Sequence, residues 1–200
     1  MRLKVAVVSA MALAAVAAAP AAAQQAASAN ALQEGRRSIS FGLPSGGGSS
    51  FGIWTMLSER TNLGLIGQLQ VEQQDDPDVD SWGLRLAPAI KRYVRRAGPV
   101  APFLYGNVAL GWESETQPGG EESAWSIGTF GGLGVEWFPV SSVSIGGHTG
   151  IGLEYRSIDV DPTIGASQSS SELALRTATS QLSIQIYFGG PRGGGVASGQ

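Results

Sequence analysis

Few residues in this chain could do chemistry, and each can be tested against what that chemistry needs. There is one histidine, His148, and no cysteine. Disulfides and thiolate metal sites are therefore excluded, and imidazole chemistry rests on a single side chain. A catalytic base needs a partner within hydrogen-bond reach. The sequence specifies none for His148, which reads as structural. Gly48-Ser49-Ser50-Phe51-Gly52 matches the letters of a G-x-S-x-G nucleophile elbow. That elbow works only on a strand-turn-helix in an α/β sheet, and here it lies in a Gly/Ser-rich connection between strand-like stretches. Asp76-Pro77-Asp78-Val79-Asp80 resembles the start of a calcium loop. The glycine and glutamate required further along are replaced by Ser81 and Ala87. The segment reads as a solvated acidic loop, with weak divalent-cation binding as the sharper alternative. Gly131-Gly132-Leu133-Gly134 is no phosphate cradle, because no helix N-terminus follows it. No catalytic residue, metal site or cofactor is expected.

The elements that would position any remaining site are all of one kind. Glycine accounts for 29 of the 200 residues and charged residues for only 14%, which excludes a disordered polyelectrolyte. The net charge of −3 is not that of a nucleic-acid binder. Arg2 and Lys4 precede an uncharged, alanine-rich run from Val5 to Ala23, ending in Ala21-Ala22-Ala23. A basic start, an apolar run and a small-residue stop predict a signal peptide over residues 1–23. An uncleaved membrane anchor is the alternative. Residues 24–36 read as a polar lead-in, 37–188 as the domain proper and 189–200 as a flexible tail.

From Ser38 onward the hydrophobic period is two. Strands are predicted at about 38–43, 50–58, 62–73, 81–95, 100–113, 123–139, 143–158 and 175–188, with no amphipathic helix between them. Strands without helices point to a barrel or sandwich. Turns at 58–61, 97–99 and 140–142 look short, while 44–49, 75–80, 115–122 and 159–172 look like longer loops. One face of each strand is apolar, as in Leu63, Leu65, Leu69 and Val71, and the other holds Gly, Ser, Gln and Asn. A soluble lipocalin-like barrel would turn its apolar face inward and carry Lys and Glu outside. Small polar residues instead suit a narrow lumen, with the apolar face toward lipid. The aromatics agree. Trp82, Trp112, Trp125 and Tyr155 stand at one end of their strands, and Trp137 and Phe188 at the other, all on the apolar face. Two aromatic rings are what two lipid interfaces select. The segments 75–80, 113–122 and 159–172 are acidic without a basic residue, while Arg60, Arg92, Arg95 and Arg96 flank the short turns.

The stretches Ala101–Trp112, Gly131–Phe138 and Thr149–Tyr155, with the final Leu182–Phe188, resemble the glycine-alternating strands of the small eight-stranded outer-membrane barrels, the type of OmpX and the OmpA membrane domain. The resemblance covers roughly 38–188 and departs from the family in the tail after Phe188. It implies an all-β, antiparallel, up-and-down transmembrane barrel with both termini in the periplasm. It also implies outer-membrane lipid and lipopolysaccharide as surroundings and the β-barrel assembly machinery as a partner in biogenesis. No nucleic acid is implied, and no surface partner can be named. Outer-membrane lipid deacylases share the strand number, with a nucleophilic serine two residues after a histidine. Here position 150 is glycine.

Strand parity then places Glu72, Arg85, Lys91, Glu136, His148, Glu154 and Arg156 in the lumen. Glu72, Arg85, Glu154 and Arg156 should lie toward the outside, and Lys91, Glu136 and His148 toward the periplasm. Isolated charges in a narrow lumen are costly, so these should pair. The expected role is a salt-bridged plug in a non-enzymatic structural or surface-interacting protein. A narrow channel or ligand-binding barrel is the first alternative and a lipid hydrolase the second.

Overall fold

The computed structural model describes residues 31–189 except 46–47, 76–77, 95–97, 119 and 164, and gives no side-chain description for 72–78 and 178. The expected leader (1–23), the first part of the lead-in and nearly all of the tail lie outside the described residues, as do Arg95 and Arg96. Eight strands run in chain order: β1 (Arg37–Pro44), β2 (Ser50–Ser58), β3 (Thr61–Asp75), β4 (Asp78–Tyr93), β5 (Val100–Gln117), β6 (Gly120–Val140), β7 (Val143–Pro162) and β8 (Gln168–Phe188). Each pairs antiparallel with its sequence neighbours, and β1 closes on β8 from Arg37↔Phe188 to Pro44↔Gln181. The architecture is the closed, all-β up-and-down barrel read from the alternation.

Period two sorts the side chains as expected. Leu63, Leu65, Leu86, Ile90, Leu104, Ile151 and Ile184 project outward and are exposed, whereas Trp54, Met56, Tyr93, Phe103, Phe138 and Tyr187 are buried inside. Closure leaves no strand edge around the lower wall, so the backbone there is internally satisfied, as a bilayer requires. Lumen glycines make room for rings from neighbouring strands. A methyl group added at Gly64 would overlap the Trp54 ring, and one at Gly134 would overlap Phe103.

The strands are longer than the apolar pattern suggested, and the expected long loops are largely strand. β3 ends and β4 begins at the pair Asp75↔Asp78, and β5 and β6 pair as far as Gln117↔Gly120. β7 runs to Pro162 and β8 starts at Gln168. Above the apolar belt both strand faces meet water, so the hydrophobic alternation stops while the hydrogen-bond ladder continues. Gly120, at φ 147°, lets the β5–β6 hairpin reverse within two residues. The two ends of the barrel therefore differ in strand height more than in connection length. Asp78 and Asp80 belong to β4 and not to a loop; Asp76 and Pro77 lie outside the described residues.

Residues 31–36, counted with the lead-in from sequence, fold across the short-turn mouth. Gly35 N–H donates to Met56 O (2.9 Å) and Met56 N–H donates to Arg36 O (2.8 Å). Ala31 and Leu32 are fully buried against Trp54, Met56, Tyr93, Phe138 and Tyr187. Arg36 ties this cap to the rim through Nε to Gly189 O (3.0 Å) and Nη1 to Ser141 O (3.3 Å).

Because the Trp54 ring lies flat on Gly64, Gly64→Ala is expected to destabilise the barrel by about 1–3 kcal/mol, the usual cost of overpacking. The temperature at which unboiled protein loses its compact electrophoretic mobility should fall accordingly. Gly67→Ala, where the nearest atom to an added methyl is Leu86 Cδ2 at 3.7 Å, should leave it nearly unchanged.

Candidate functional site

The lumen carries two charged layers. The lower layer, toward the short turns, centres on Lys91 of β4 and Glu136 of β6, both almost wholly buried. Their Nζ–Oε1 distance is 2.5 Å. Lys91 Nζ also donates to Gln185 Oε1 (2.8 Å), and Gln185 Nε2 donates to Ser38 Oγ (2.6 Å). Glu136 Oε2 accepts from Tyr93 OH (3.1 Å) and Tyr187 OH (2.9 Å). The ammonium sits 4.6 Å from the centroid of Trp54, whose Nε1 donates to Ser40 Oγ (2.9 Å). Cation–π contact and the surrounding donors offset the desolvation of the two charges.

The upper layer is more open. Glu154 of β7 bridges two guanidinium groups: Arg85 of β4 to Oε2 at 2.9 Å and Arg176 of β8 to Oε1 at 3.3 Å. Arg156 of β7 contacts Glu113 at 2.7 Å and Glu122 at 3.9 Å. These groups line a cavity of about 520 Å³ that opens at the end opposite the short turns. Gly128 keeps space beside Arg85, whose Nη2 would lie 3.5 Å from an added Cβ.

His148 stands between the layers. It stacks on Tyr105 (centroids 4.1 Å) and meets Phe130 edge-on (5.6 Å). Gly150 lies where a nearby serine would be needed. Ser50 opens β2 and accepts a hydrogen bond from Gln181 Nε2 (2.8 Å); a strand follows it, so the elbow context is missing. No group of three His, Asp or Glu side chains is gathered for a metal among the described residues.

Six of the seven sequence-derived lumen residues thus have described side chains: Arg85 meets Glu154, Lys91 meets Glu136, Arg156 meets residues outside the set, and His148 is held by rings. Glu72 occupies an inward-parity position on β3 opposite Ser81, and its side chain is outside the description. Sequence reasoning missed Glu113, Arg176, Gln185 and the two tyrosines on Glu136. Glu113 ended the expected fifth strand and was countable from Gly111 by parity, but it was counted with the acidic segment 113–122 and not with the lumen. Arg176 was hidden by a bulge: β7–β8 register shifts between Gly150 and Gly152. The outward residues of β8 accordingly switch from Leu182, Ile184 and Ile186 to Leu173 and Leu175. That change of phase was the available signal.

No protein-family description and no curated protein matches the chain in sequence. The structure of a major outer membrane protein from Thermus thermophilus superposes with a TM-score of 0.52 at 13% identity, over 76% of this chain and 98% of that one. The fold is that of a small outer-membrane β-barrel. The N-terminal β-barrel domain of Pseudomonas aeruginosa OprF is a looser likeness (TM-score 0.44, 9% identity, 78% and 98% coverage), as is Ail, the attachment invasion locus protein of Yersinia pestis (0.43, 12%, 78% and 100%).

The six aromatics expected at the membrane interfaces all point outward from this barrel. Trp82, Trp112, Trp125, Tyr155 and Phe188 are outward and exposed, and Trp137 is outward and half-buried. Trp112 pairs with Trp125, and the Trp125 and Tyr155 rings lie 5.6 Å apart.

Removing one member of the buried pair leaves the other uncompensated. Glu136→Ala should cost about 3–5 kcal/mol, whereas the double change Lys91→Met with Glu136→Leu should recover most of it. Urea titrations of tryptophan fluorescence in detergent micelles would read both.

Proposed function

We propose that this protein is a non-enzymatic, integral barrel of a bacterial outer membrane, exported by its leader, with its acidic rim outside and its capped mouth toward the periplasm. The role is structural or surface-interacting, and the barrel is a closed cup, not a conduit. One observation carries this reading: the short-turn half of the lumen is filled. Tyr93, Phe138, Met56, Gln185, Glu136 and Asn62 are all fully buried there, beneath Ala31 and Leu32. Ion passage would need a continuous wet path, and buried aromatic and paired charged side chains occupy its place.

The outer rim supports contact with cations or cationic surfaces. Like-charged residues face one another across strands at Glu115↔Glu122 and Glu121↔Asp161. Such pairs are destabilising by themselves and are tolerated where water and counter-ions screen them. The lipid hydrolase reading finds no support in the surroundings of His148.

Planar-bilayer recording tests the cup. The wild type should insert without discrete conductance steps, and Arg85→Ala should be equally silent, because Arg85 lies above the filled layer. Stable steps from the wild type, enlarged by Arg85→Ala, would overturn the closed reading in favour of a narrow channel.

A further inference from the structure

The barrel wall is uneven in height. β1 and β2 have 8 and 9 residues, while the strands flanking them, β3 and β8, have 15 and 21. β1 parts from β8 above Pro44↔Gln181, and β2 parts from β3 above Ser50↔Gln68. Beyond those rungs β3 pairs only with β4, and β8 only with β7. Ser45, just past β1, adds one rung, its N–H donating to Ser180 O at 2.8 Å. Among the described residues a notch thus lies between the upper parts of β3 and β8.

Register places the base of this notch at the level of the outer aromatic ring. Val71, on the β3 side, pairs with Trp82, and Leu173, on the β8 side, pairs with Tyr155; both aromatics belong to the outer ring. The outward residues on the two free edges are apolar and exposed: Leu69, Val71, Leu173 and Leu175 are 64%, 65%, 67% and 69% exposed, as bare as Leu133 and Leu182 on the continuous wall.

Behind the notch lies the vestibule, and its charge is unevenly divided. Arg85 and Arg176 share one carboxylate, Glu154, a local surplus of one positive charge in a lining that also holds Arg156 and the acidic Glu113, Glu115 and Glu122. Arg176 sits on the free part of β8 with its side chain 60% exposed. The opposite imbalance, Arg156 between Glu113 and Glu122, uses other strands. Guanidinium groups match phosphate oxygens in bidentate geometry, and a cavity of about 520 Å³ is of the size that holds a small polar group.

We propose that the notch is a lateral lipid site. An anionic, phosphate-bearing amphiphile of the outer leaflet places its head on Arg176 and Arg85, and its acyl chains lie against Leu69, Val71, Leu173 and Leu175. This rests on the membrane-spanning reading above. A lipid with no net charge would not use the surplus cation.

The test is retention of lipid by purified protein in neutral detergent, read by native mass spectrometry after incorporation into nanodiscs of phosphatidylcholine with phosphatidylglycerol. Insertion is scored separately by the mobility difference between boiled and unboiled samples. Wild type should keep phosphatidylglycerol in clear preference to phosphatidylcholine. Arg176→Ala should reduce that preference about tenfold, the order expected for losing a charge-assisted hydrogen bond. Arg92→Ala, remote at the short-turn end, should not change it. Glu154→Gln should raise it, because both guanidinium groups lose their carboxylate; this arm decides the matter if Arg176→Ala fails to fold. Equal retention of the two lipids, or a preference indifferent to both Arg176→Ala and Glu154→Gln, would overturn the site. So would full displacement by millimolar inorganic phosphate, which would indicate a head-only anion pocket. Failure to insert would sink the membrane reading as well, whereas insertion without preference removes only the lipid site.

Discussion

The buried contact between Lys91 and Glu136 is the constraint around which this barrel is organised. Two opposite charges far from water are costly, and the barrel accepts them because they meet each other and a set of further polar and aromatic partners. Tyr93 and Tyr187 donate to the carboxylate, Gln185 accepts from the ammonium, and Trp54 lies beneath it. The pair and those partners come from β2, β4, β6 and β8, and Ser38 adds β1 through Gln185. A single polar cluster thereby crosses the lumen and holds opposite walls at one separation. Glycines at 64 and 134 follow from the same demand, since the rings packed around the cluster need space on the facing strands.

Filling one half of the lumen leaves the other half free to be different. Above His148 the charges are partly exposed and share partners unequally, and the wall itself becomes irregular. The lower barrel is a closed cylinder with matched strands. The upper barrel is a crown of long hairpins, β3 to β8, interrupted over the short pair β1–β2. Stability and the capacity to bind are thus separated along the axis of one small domain, with the aromatic residues of the outer ring close to the boundary.

Much of this was legible in the residues. Alternation gave the strand number, the outward face and the inward positions of Lys91, Glu136, Arg85 and Glu154, because a bilayer forces period two on every crossing strand. What stayed hidden was what that force does not reach. Strand continuing beyond the apolar belt, such as Ser114–Gln117 and Gly120–Glu122, has polar residues on both faces and looks like loop. Arg176 follows a bulge that parity cannot see unless the phase of Leu173 and Leu175 is compared with that of Leu182 and Ile184. Ala31 and Leu32 were lost in an alanine-rich stretch, where nothing local signals that two small apolar residues stop a mouth. The tyrosines on Glu136 needed three-dimensional packing, since parity says which way a side chain points and not whom it meets.

The cap also bears on the order of assembly. Arg36 meets Gly189 across a sequence separation of 153 residues, and β1 has no partner on that side until β8 is in place. Contacts that close so long a loop form slowly, because chain entropy must be lost before they return any energy. The sheet can grow hairpin by hairpin from β1 to β8, but the seam and the tie from Arg36 to Gly189 can form only at the last step. Until then the lumen polar groups face an open trough, and Lys91 and Glu136, on alternate strands of that trough, still have access to water. Desolvation of the central ion pair is therefore deferred to the moment of seam closure, which makes the final zipping of β1 onto β8 the step at which the barrel commits to its native state.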